Sequence, residues 1–262
     1  IDLDNREWTP IGWHNTNASN AHFKGHFDGG GHFIKNVKVT TFTKDSSGLF
    51  GATSGGTTIK NLGVESGTIE GKVVGGIIGN MSGGRIENCY NKASIKGANY
   101  VGGIVAYSTT TPTLANCFNA GTLTLTLSGT KSIGGIMGQT TTAYINNCYN
   151  VGDIVPLGGT TGIKYGAVTG DFNANRAPVN CYYLDTSIPA GATNAHGTAV
   201  NQATILSEDF VSSLNGTQYP VAWYPDLKSN NDGLPMLLWQ YQRYEAPDFP
   251  MVPGTVVVHS PK

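Results

Sequence analysis

Histidine and aspartate side chains gather near the start of the sequence in a pattern that could bind zinc. Four of the six histidines fall there: His14, His22, His26 and His32. His26 and His32 flank Asp28, and imidazole together with carboxylate suits Zn²⁺. The same stretch also fits a tight turn, in which the aspartate accepts hydrogen bonds from backbone amides and glycine takes a positive φ. We favour the turn, and we predict no metal and no other cofactor.

Four cysteines share one position of a recurring motif. They are Cys89, Cys117, Cys148 and Cys181, spaced 28, 31 and 33 residues apart. Four cysteines in an exported protein ordinarily suggest two disulfides. Cysteines in one phase, however, project in parallel from strands about 4.8 Å apart, which exceeds the Cβ separation of about 3.8 Å that a disulfide prefers. We therefore predict a ladder of buried, unpaired thiols.

Acidic residues raise the alternative of a polysaccharide-active hydrolase or lyase. Hydrolysis needs two carboxylates about 5–9.5 Å apart. The candidates are scattered at one or two per repeat: Glu65, Glu70, Glu87, Asp153, Asp171 and Asp185. Only Glu70 and Glu87 are expected to approach each other across neighbouring repeats, and the sequence contains no nucleophile elbow, phosphate loop or zinc-protease motif. We predict no catalytic residues.

The elements that position these side chains begin with a repeated glycine-apolar-apolar-glycine unit. Its copies are Gly48–Gly51, Gly76–Gly79, the variant Gly103–Ala106, Gly135–Gly138 and a looser copy at Gly166–Gly170. The first four copies start 28, 27 and 32 residues apart. Repetition at this period is typical of solenoid folds, in which each repeat stacks on its neighbours.

An Asn-Cys-aromatic element tracks the glycine unit. Its copies are Asn88–Asn91, Asn116–Asn119, Asn147–Asn150 and Asn180–Tyr182. A run that alternates with period two follows it, which is typical of a strand. Each repeat therefore predicts three short strands, and its recurring asparagines are expected to hydrogen-bond from coil to coil. These asparagines are Asn88, Asn91, Asn116, Asn119, Asn147 and Asn150.

Stacked three-strand coils form a parallel β-helix that rises about 4.8 Å per coil. We predict an all-β, right-handed parallel β-helix of about five to six coils, since a repeat this short cannot bury its apolar positions alone. Its first coils occupy residues 1–40 and the repeats occupy 41–185. A small cap follows at 186–240, and a Pro-rich tail or linker at 241–262.

The predicted cap contains the one convincing helix, near residues 204–215. Leu206, Phe210 and Leu214 fall on one face of that helix, and Gly216 can end it. An uncovered end of a β-helix would recruit another chain. We therefore expect the cap to seal the end of the solenoid.

The overall composition excludes several partners. A formal net charge of −1, with 13% charged residues, leaves no basic excess for nucleic acid or anionic membranes. The sequence contains no run of about 18 apolar residues that would span a bilayer. The first residues, Ile1–Asp4, do not look like a signal peptide, so export has to be inferred from other features.

The glycine unit followed by Asn-Cys-Tyr-Asn resembles the GLUG repeat of surface and secreted bacterial proteins. These include adhesin-like proteins and the non-catalytic part of some immunoglobulin A peptidases. Trp8–Gly12 and Phe23–Ile34 resemble the first coils of such arrays, and Asn231–Leu237 resembles the closing segment, so the resemblance covers about residues 1–239. It implies a secreted or cell-surface β-helix module for adhesion or spacing.

The aromatic residue of each Asn-Cys element is the candidate for a ligand surface. These residues are Tyr90, Phe118, Tyr149 and Tyr182. If the cysteines point inward, the aromatic side chains line up along the outer face, where they could stack on sugars or anchor a protein partner. The alternative is a stacked rank that packs only on its own coil.

A threonine run at Thr122, Thr124 and Thr126 would suit ice binding only if it recurred on successive coils. The corresponding segment Ala93–Lys96 does not repeat it. The sequence thus predicts a monomeric, non-catalytic bacterial module that binds glycan or a host or matrix protein, or that spaces further domains of the same polypeptide.

Overall fold

The chain winds into a parallel β-helix with three faces, each built by one sheet. The computed structural model describes residues 1–13, 21–40, 45–127, 130–157, 159, 161–172, 176–192 and 196–244. Five strands stack on the first face, so the described residues complete about five turns. The predicted all-β β-helix with three strands per repeat is confirmed.

Each coil passes through the three faces in the same order. The first face carries the strands that follow the glycine units: β4 (Phe50–Thr53), β7 (Ile78–Met81), β10 (Val105–Ser108), β15 (Met137–Thr140) and β20 (Thr169–Phe172). The second face carries the Asn-Cys elements: β1 (His26–Ile34), β5 (Thr58–Val64), β8 (Arg85–Asn91), β11 (Thr113–Ala115), β12 (Phe118–Asn119), β16 (Tyr144–Asn146), β17 (Tyr149–Asn150), β21 (Tyr182–Leu184) and β22 (Thr198–Val200). The third face leads to the next glycine unit: β2 (Val37–Val39), β3 (Ser46–Ser47), β6 (Gly67–Gly75), β9 (Ser94–Gly102), β13 (Leu123–Leu125), β14 (Lys131–Gly134), β18 (Ile154–Pro156) and β19 (Ile163–Gly166).

Identical phase in successive coils builds the core as columns of apolar side chains. Ile59, Ile86, Leu114 and Ile145 are paired in register on the second face. Each of them is buried. Because side chains alternate between the two sides of a strand, every second residue enters this core and its neighbours face outward.

The register places the fifth glycine unit one residue later than the sequence suggested. Gly134 pairs with Gly166, so the position of Gly135 is taken by Ala167. The position of Asn150 in the next coil is taken by Tyr183. Glycine and asparagine are therefore replaced together at the end of the array.

The first asparagine of each Asn-Cys element bends the second face. Asn61, Asn88, Asn116, Asn147 and Asn180 have φ values between 48° and 55°. Asparagine tolerates this left-handed conformation better than other side-chain-bearing residues. The bend turns the cysteine inward and sends the following aromatic side chain outward.

Two asparagine ladders run along the helix, as predicted. In the outer ladder, Asn116 donates to Asn88, and Asn88 donates to Asn61, each at 3.2 Å. In the inner ladder, Asn91 donates to Asn119, and Asn119 donates to Asn150, each at 2.8 Å. The inner asparagines are fully buried, so these bonds satisfy groups that water cannot reach.

The four cysteines are free and buried, which confirms the predicted thiol ladder. Each thiol donates to a backbone carbonyl two residues earlier; that of Cys117, for example, lies 3.3 Å from the Ala115 oxygen. Burial raises the pKa of Cys89, Cys117 and Cys148 well above its ordinary value. These thiols are therefore protonated and unreactive.

The region after the last coil does not simply seal the end of the solenoid. Residues 201–244, here called the side segment, fold back along the second face. At one end Phe210 packs edge-on against Tyr182, with ring centroids 5.0 Å apart. At the other end the Arg243 guanidinium lies 5.0 Å from the ring of Phe33, in the first described coil. Residues 201–244 therefore lie along the side of the solenoid, where the aromatic side chains of the second face give them an apolar surface to cover. The predicted bounds of the cap at 186–240 stay a prediction.

The side segment contains three short helices and one hairpin: α1 (Gln202–Ile205), α2 (Glu208–Asn215), β23 (Trp223–Tyr224), β24 (Met236–Leu237) and α3 (Leu238–Tyr244). The predicted single helix is broken because the Ser207 hydroxyl accepts from the Phe210 amide and starts α2 afresh. Leu206 is consequently 42% exposed, whereas Phe210 and Leu214 are buried as expected. Within the described residues, no helix has the length and apolarity to cross a membrane. The predicted tail lies outside the described residues from 245 onward, and α3 extends into its first four positions.

Candidate functional site

The aromatic rank on the second face is real, but it is not an open ligand surface. Tyr90 stacks on Phe118, and Phe118 stacks on Tyr149, with ring centroids 4.9 Å apart in both pairs. These three side chains are at most 1% exposed. The hypothesis of a ligand-binding stripe is therefore wrong for these three residues, because the side segment covers them. Tyr182 is only partly buried.

Two tryptophans anchor the side segment on this rank. Trp239 stacks on Tyr90 with ring centroids 5.5 Å apart, and its indole N–H donates to the Asn88 carbonyl at 3.0 Å. Trp223 packs against Tyr149, and its N–H donates to the Asn147 carbonyl at 3.1 Å. Both carbonyls belong to asparagines in the left-handed backbone conformation. The bend at each asparagine interrupts the pairing between neighbouring strands. The rank therefore serves internal packing.

The histidine-aspartate stretch near the start forms a bulge of the first coil. Gly30 and Gly31 have positive φ, and the Asp28 carboxylate accepts from the Gly30 amide at 2.9 Å and from Asn61 at 3.0 Å. Partial burial raises the pKa of Asp28, but these hydrogen bonds and the charge of Lys60 outweigh it and lower the pKa overall. Asp28 thus acts as predicted for the turn, within strand β1 rather than between two strands.

Metal ligands do not converge in the part of the chain that the structure describes. Those residues contain no group of three or more histidine, cysteine, aspartate or glutamate side chains placed to hold an ion. His14, one of the four early histidines, lies outside the described residues.

Acidic side chains on the outer faces are held by cations of the same or a neighbouring coil. Glu70 lies on the third face beside Lys96, and Glu87 lies on the second face beside Arg85. The two carboxylates that could have met across coils therefore belong to different faces. Glu65 and Asp171 are paired with Lys92 at 3.3 Å and Lys164 at 3.0 Å.

The threonine run does not form a flat rank. Thr124 pairs with Lys96 in one neighbouring coil and with Val155 in the other. Leu123 and Leu125, on either side of Thr124, point into the core. The threonines do not recur on successive coils, so this face lacks the repeated surface that ice binding would need.

A different set of outward side chains converges where the third face turns into the first. From the second glycine unit onward, each unit is flanked by two outward residues seven positions apart, one at the end of a third-face strand and one on the next first-face strand. In three successive coils these pairs are Tyr100 and Tyr107, Ser132 and Gln139, and Lys164 and Asp171. Strand pairing aligns Tyr100, Ser132 and Lys164 on one side of the corner and Tyr107, Gln139 and Asp171 on the other.

Five of these six residues, all except Tyr107, line a shallow cleft of about 120 Å³, here called the corner cleft. Tyr100 stacks on Tyr107 at one end, with ring centroids 4.9 Å apart. Lys164 and Asp171 form the ion pair at the other end. Ser132 and Gln139 lie between them, and Thr130 and Lys131 also line the cleft.

Two polar atoms in the floor of the corner cleft lack partners. The Ser132 hydroxyl and the Gln139 carbonyl oxygen are buried and accept or donate no hydrogen bond among the described residues. The amide nitrogen of Gln139 donates to Asp171 at 3.3 Å. Burial and, to a smaller extent, the neighbouring Tyr100 raise the pKa of Tyr107, so its hydroxyl remains a donor. The cleft combines an aromatic end with unpaired polar groups.

Sequence reasoning missed the corner cleft. The available signal was the seven-residue spacing across each glycine unit, such as Tyr100 and Tyr107 around Gly103. The residue types change from coil to coil, so these positions do not stand out as a repeat.

Comparisons with known proteins agree with this architecture. Residues 71–96 match a protein family described as the GLUG motif. Halomucin from Haloquadratum walsbyi is 32% identical over 89 residues, which are 34% of this chain and only 1% of halomucin. A crystal structure of a candidate immunoglobulin A1 protease from Bacteroides ovatus superposes with a TM-score of 0.58 at 19% identity, covering 87% of this chain and 81% of that one. The chain therefore contains a GLUG-motif β-helix.

Proposed function

We propose that the chain is a non-catalytic, extracellular β-helix module that binds glycan or a host or matrix protein through its side wall. In this proposal the module acts as a monomer and is joined to further domains of the same polypeptide. The observation that carries the proposal is the corner cleft, where outward-facing side chains that stacking does not require meet around unpaired polar atoms. Elsewhere the repeated residues serve the core, the ladders or the contact with the side segment.

The charge arrangement favours binding over catalysis. A glycosidase needs two carboxylates at a defined separation, one with a raised pKa. Glu70 and Glu87 lie on different faces, and the pKa of Asp28 is lowered. Halomucin is named as a mucin, and the GLUG match is to a motif of surface proteins. Both similarities support a location outside the cell.

A paired binding and turnover experiment tests this proposal. The purified chain is applied to a glycan array and to a panel of matrix proteins, and release of reducing ends from the same glycans is measured. We expect saturable binding without turnover. Turnover that Glu70→Gln or Glu87→Gln abolishes would contradict the proposal, and so would an absence of binding on both panels.

A further inference from the structure

We infer that the corner cleft binds one neutral saccharide ring, presented by a larger glycan. This inference rests on the proposed function and deepens it by assigning a site and a ligand class. It depends on three features of the cleft: its length, its polar floor and its balance of charge.

The length of the cleft matches a single ring. The tyrosine pair and the Lys164–Asp171 pair are two coils apart, which corresponds to about 9.6 Å at the spacing of neighbouring strands. The middle coil supplies only Ser132 and the flat amide of Gln139. A volume of about 120 Å³ is far below that of an enclosed site for a drug-sized ligand. The remaining units of a glycan would therefore extend outside the cleft.

The chemistry of the floor suits hydroxyl groups. Ser132 is 2% exposed, and its oxygen and the Gln139 carbonyl oxygen have no partner among the described residues. A sugar hydroxyl both donates and accepts, so it can satisfy an amide oxygen and a serine hydroxyl together. Asp171 accepts from Lys164 and Gln139 at 3.0 and 3.3 Å, and a carboxylate has capacity for further donors. An apolar ligand would leave these groups unsatisfied.

The aromatic end and the charge balance of the cleft narrow the chemical class of the ligand. Tyr100, which stacks on Tyr107, gives the cleft a half-buried apolar wall whose hydroxyl end remains polar, a combination suited to the C–H face and rim of a sugar ring. Asp171 offsets the charge of Lys164, so Lys131 is the one lining cation that this carboxylate does not pair with, and a phosphate beside Lys164 would meet the carboxylate. A protein partner would require a contact surface several times larger.

A shallow site for one ring implies weak binding by each module. We expect dissociation constants on the order of 1 mM for a monosaccharide, with stronger attachment when several modules engage one surface.

The test uses the full chain and the saccharide that binds best on the array, followed by calorimetric titration of variants. Tyr100→Ala and Gln139→Ala are each expected to weaken binding at least about tenfold, which corresponds to loss of a ring contact or a polar contact. Tyr100→Phe, which keeps the ring, is expected to weaken it less. Tyr144→Ala is the matched control, because Tyr144 is an exposed tyrosine on the second face that packs against Arg176. Unchanged thermal unfolding shows that each variant is folded.

Each outcome decides between the two proposals. If glycan binding persists unchanged in both cleft variants, the cleft assignment is wrong and the binding function stands. If only matrix proteins bind, the saccharide site is again wrong while the module still binds ligand. If inorganic phosphate or only acidic sugars bind, and Lys131→Ala abolishes this, the neutral class is wrong. If neither glycan nor protein binds, both proposals fail.

Discussion

Gly103 and Asn119 fit together so closely that a side chain on Gly103 would collide with the asparagine. A Cβ on Gly103 would lie 2.5 Å from the Asn119 side-chain carbon Cγ and 2.1 Å from the Gly135 carbonyl oxygen. Gly76 meets Asn91, and Gly135 meets Asn150, in the same way. The first glycine of these repeats therefore leaves room for the inner asparagine ladder, and both residues are absent at Ala167 and Tyr183.

We predict that Gly103→Ala destabilises the chain by about 1–3 kcal/mol, because the added methyl group overpacks a site bounded by backbone and a locked side chain. Urea unfolding followed by circular dichroism measures this change. Ala167→Gly is the matched control and should cost no more than about 1 kcal/mol, since it only frees the backbone. Equal stability of Gly103→Ala and the wild type would contradict the steric coupling.

We predict that Asn119→Asp is destabilising and that its cost depends on pH. The new carboxyl group would be buried between Asn91 and Asn150, and burial raises its pKa. The stability that the protonated carboxyl group contributes is fully present below its unfolded pKa of about 3.9. This contribution is lost as pH rises through the higher folded pKa. The difference from the wild type should therefore be larger at pH 7 than at pH 4. Asn80→Asp, at a half-buried position on the first face, should show little such dependence.

We predict that Trp223→Ala destabilises the side segment by about 3–5 kcal/mol, the usual cost of truncating a buried tryptophan. Trp223 is 1% exposed and contacts both Phe118 and Tyr149. The aromatic rank should become accessible, which binding of a hydrophobic dye would report. Tyr219→Ala provides the control, because Tyr219 is 79% exposed. Identical dye binding by both variants would show that the segment does not protect the rank.

We predict that stability declines above about pH 9, the ordinary pKa of the thiols. Folding raises the pKa of Cys89, Cys117 and Cys148. The stability that these protonated thiols contribute is therefore fully present below their unfolded pKa, and it is lost as pH rises toward the folded pKa. Each thiol adds a slope of up to about 1.4 kcal/mol per pH unit. Replacing all three by alanine should flatten the decline between pH 9 and 10.

Titration of the thiols gives an independent check. The native chain should expose none of its four thiols, and the denatured, unreduced chain should expose all four. A denatured chain with no free thiol would contradict the ladder.

The sequence predicts the stacking direction well and the lateral contacts poorly. The phase shared by Cys89 and Cys117 repeats in every coil, so the core and the ladders follow from period alone. The path of the side segment does not, because Trp239 meets Asn88 across 151 residues, and neither spacing nor composition indicates which surface it covers. The same limit explains the aromatic rank, whose alignment was predicted and whose burial was not.

The corner cleft was missed for a related reason. Ser132 and Gln139 line it from opposite sides of a glycine corner that only the folded geometry closes. Repetition identifies positions that stacking constrains, whereas a binding site uses positions that stacking leaves free to vary.

A crystal structure of the full chain, grown with the best-binding saccharide from the array, tests the central claim most directly. We predict an intact sugar ring over Ser132 and Gln139, between the tyrosine pair and the Lys164–Asp171 pair. A saccharide bound at another face, or a cleaved product in the corner cleft, would contradict it.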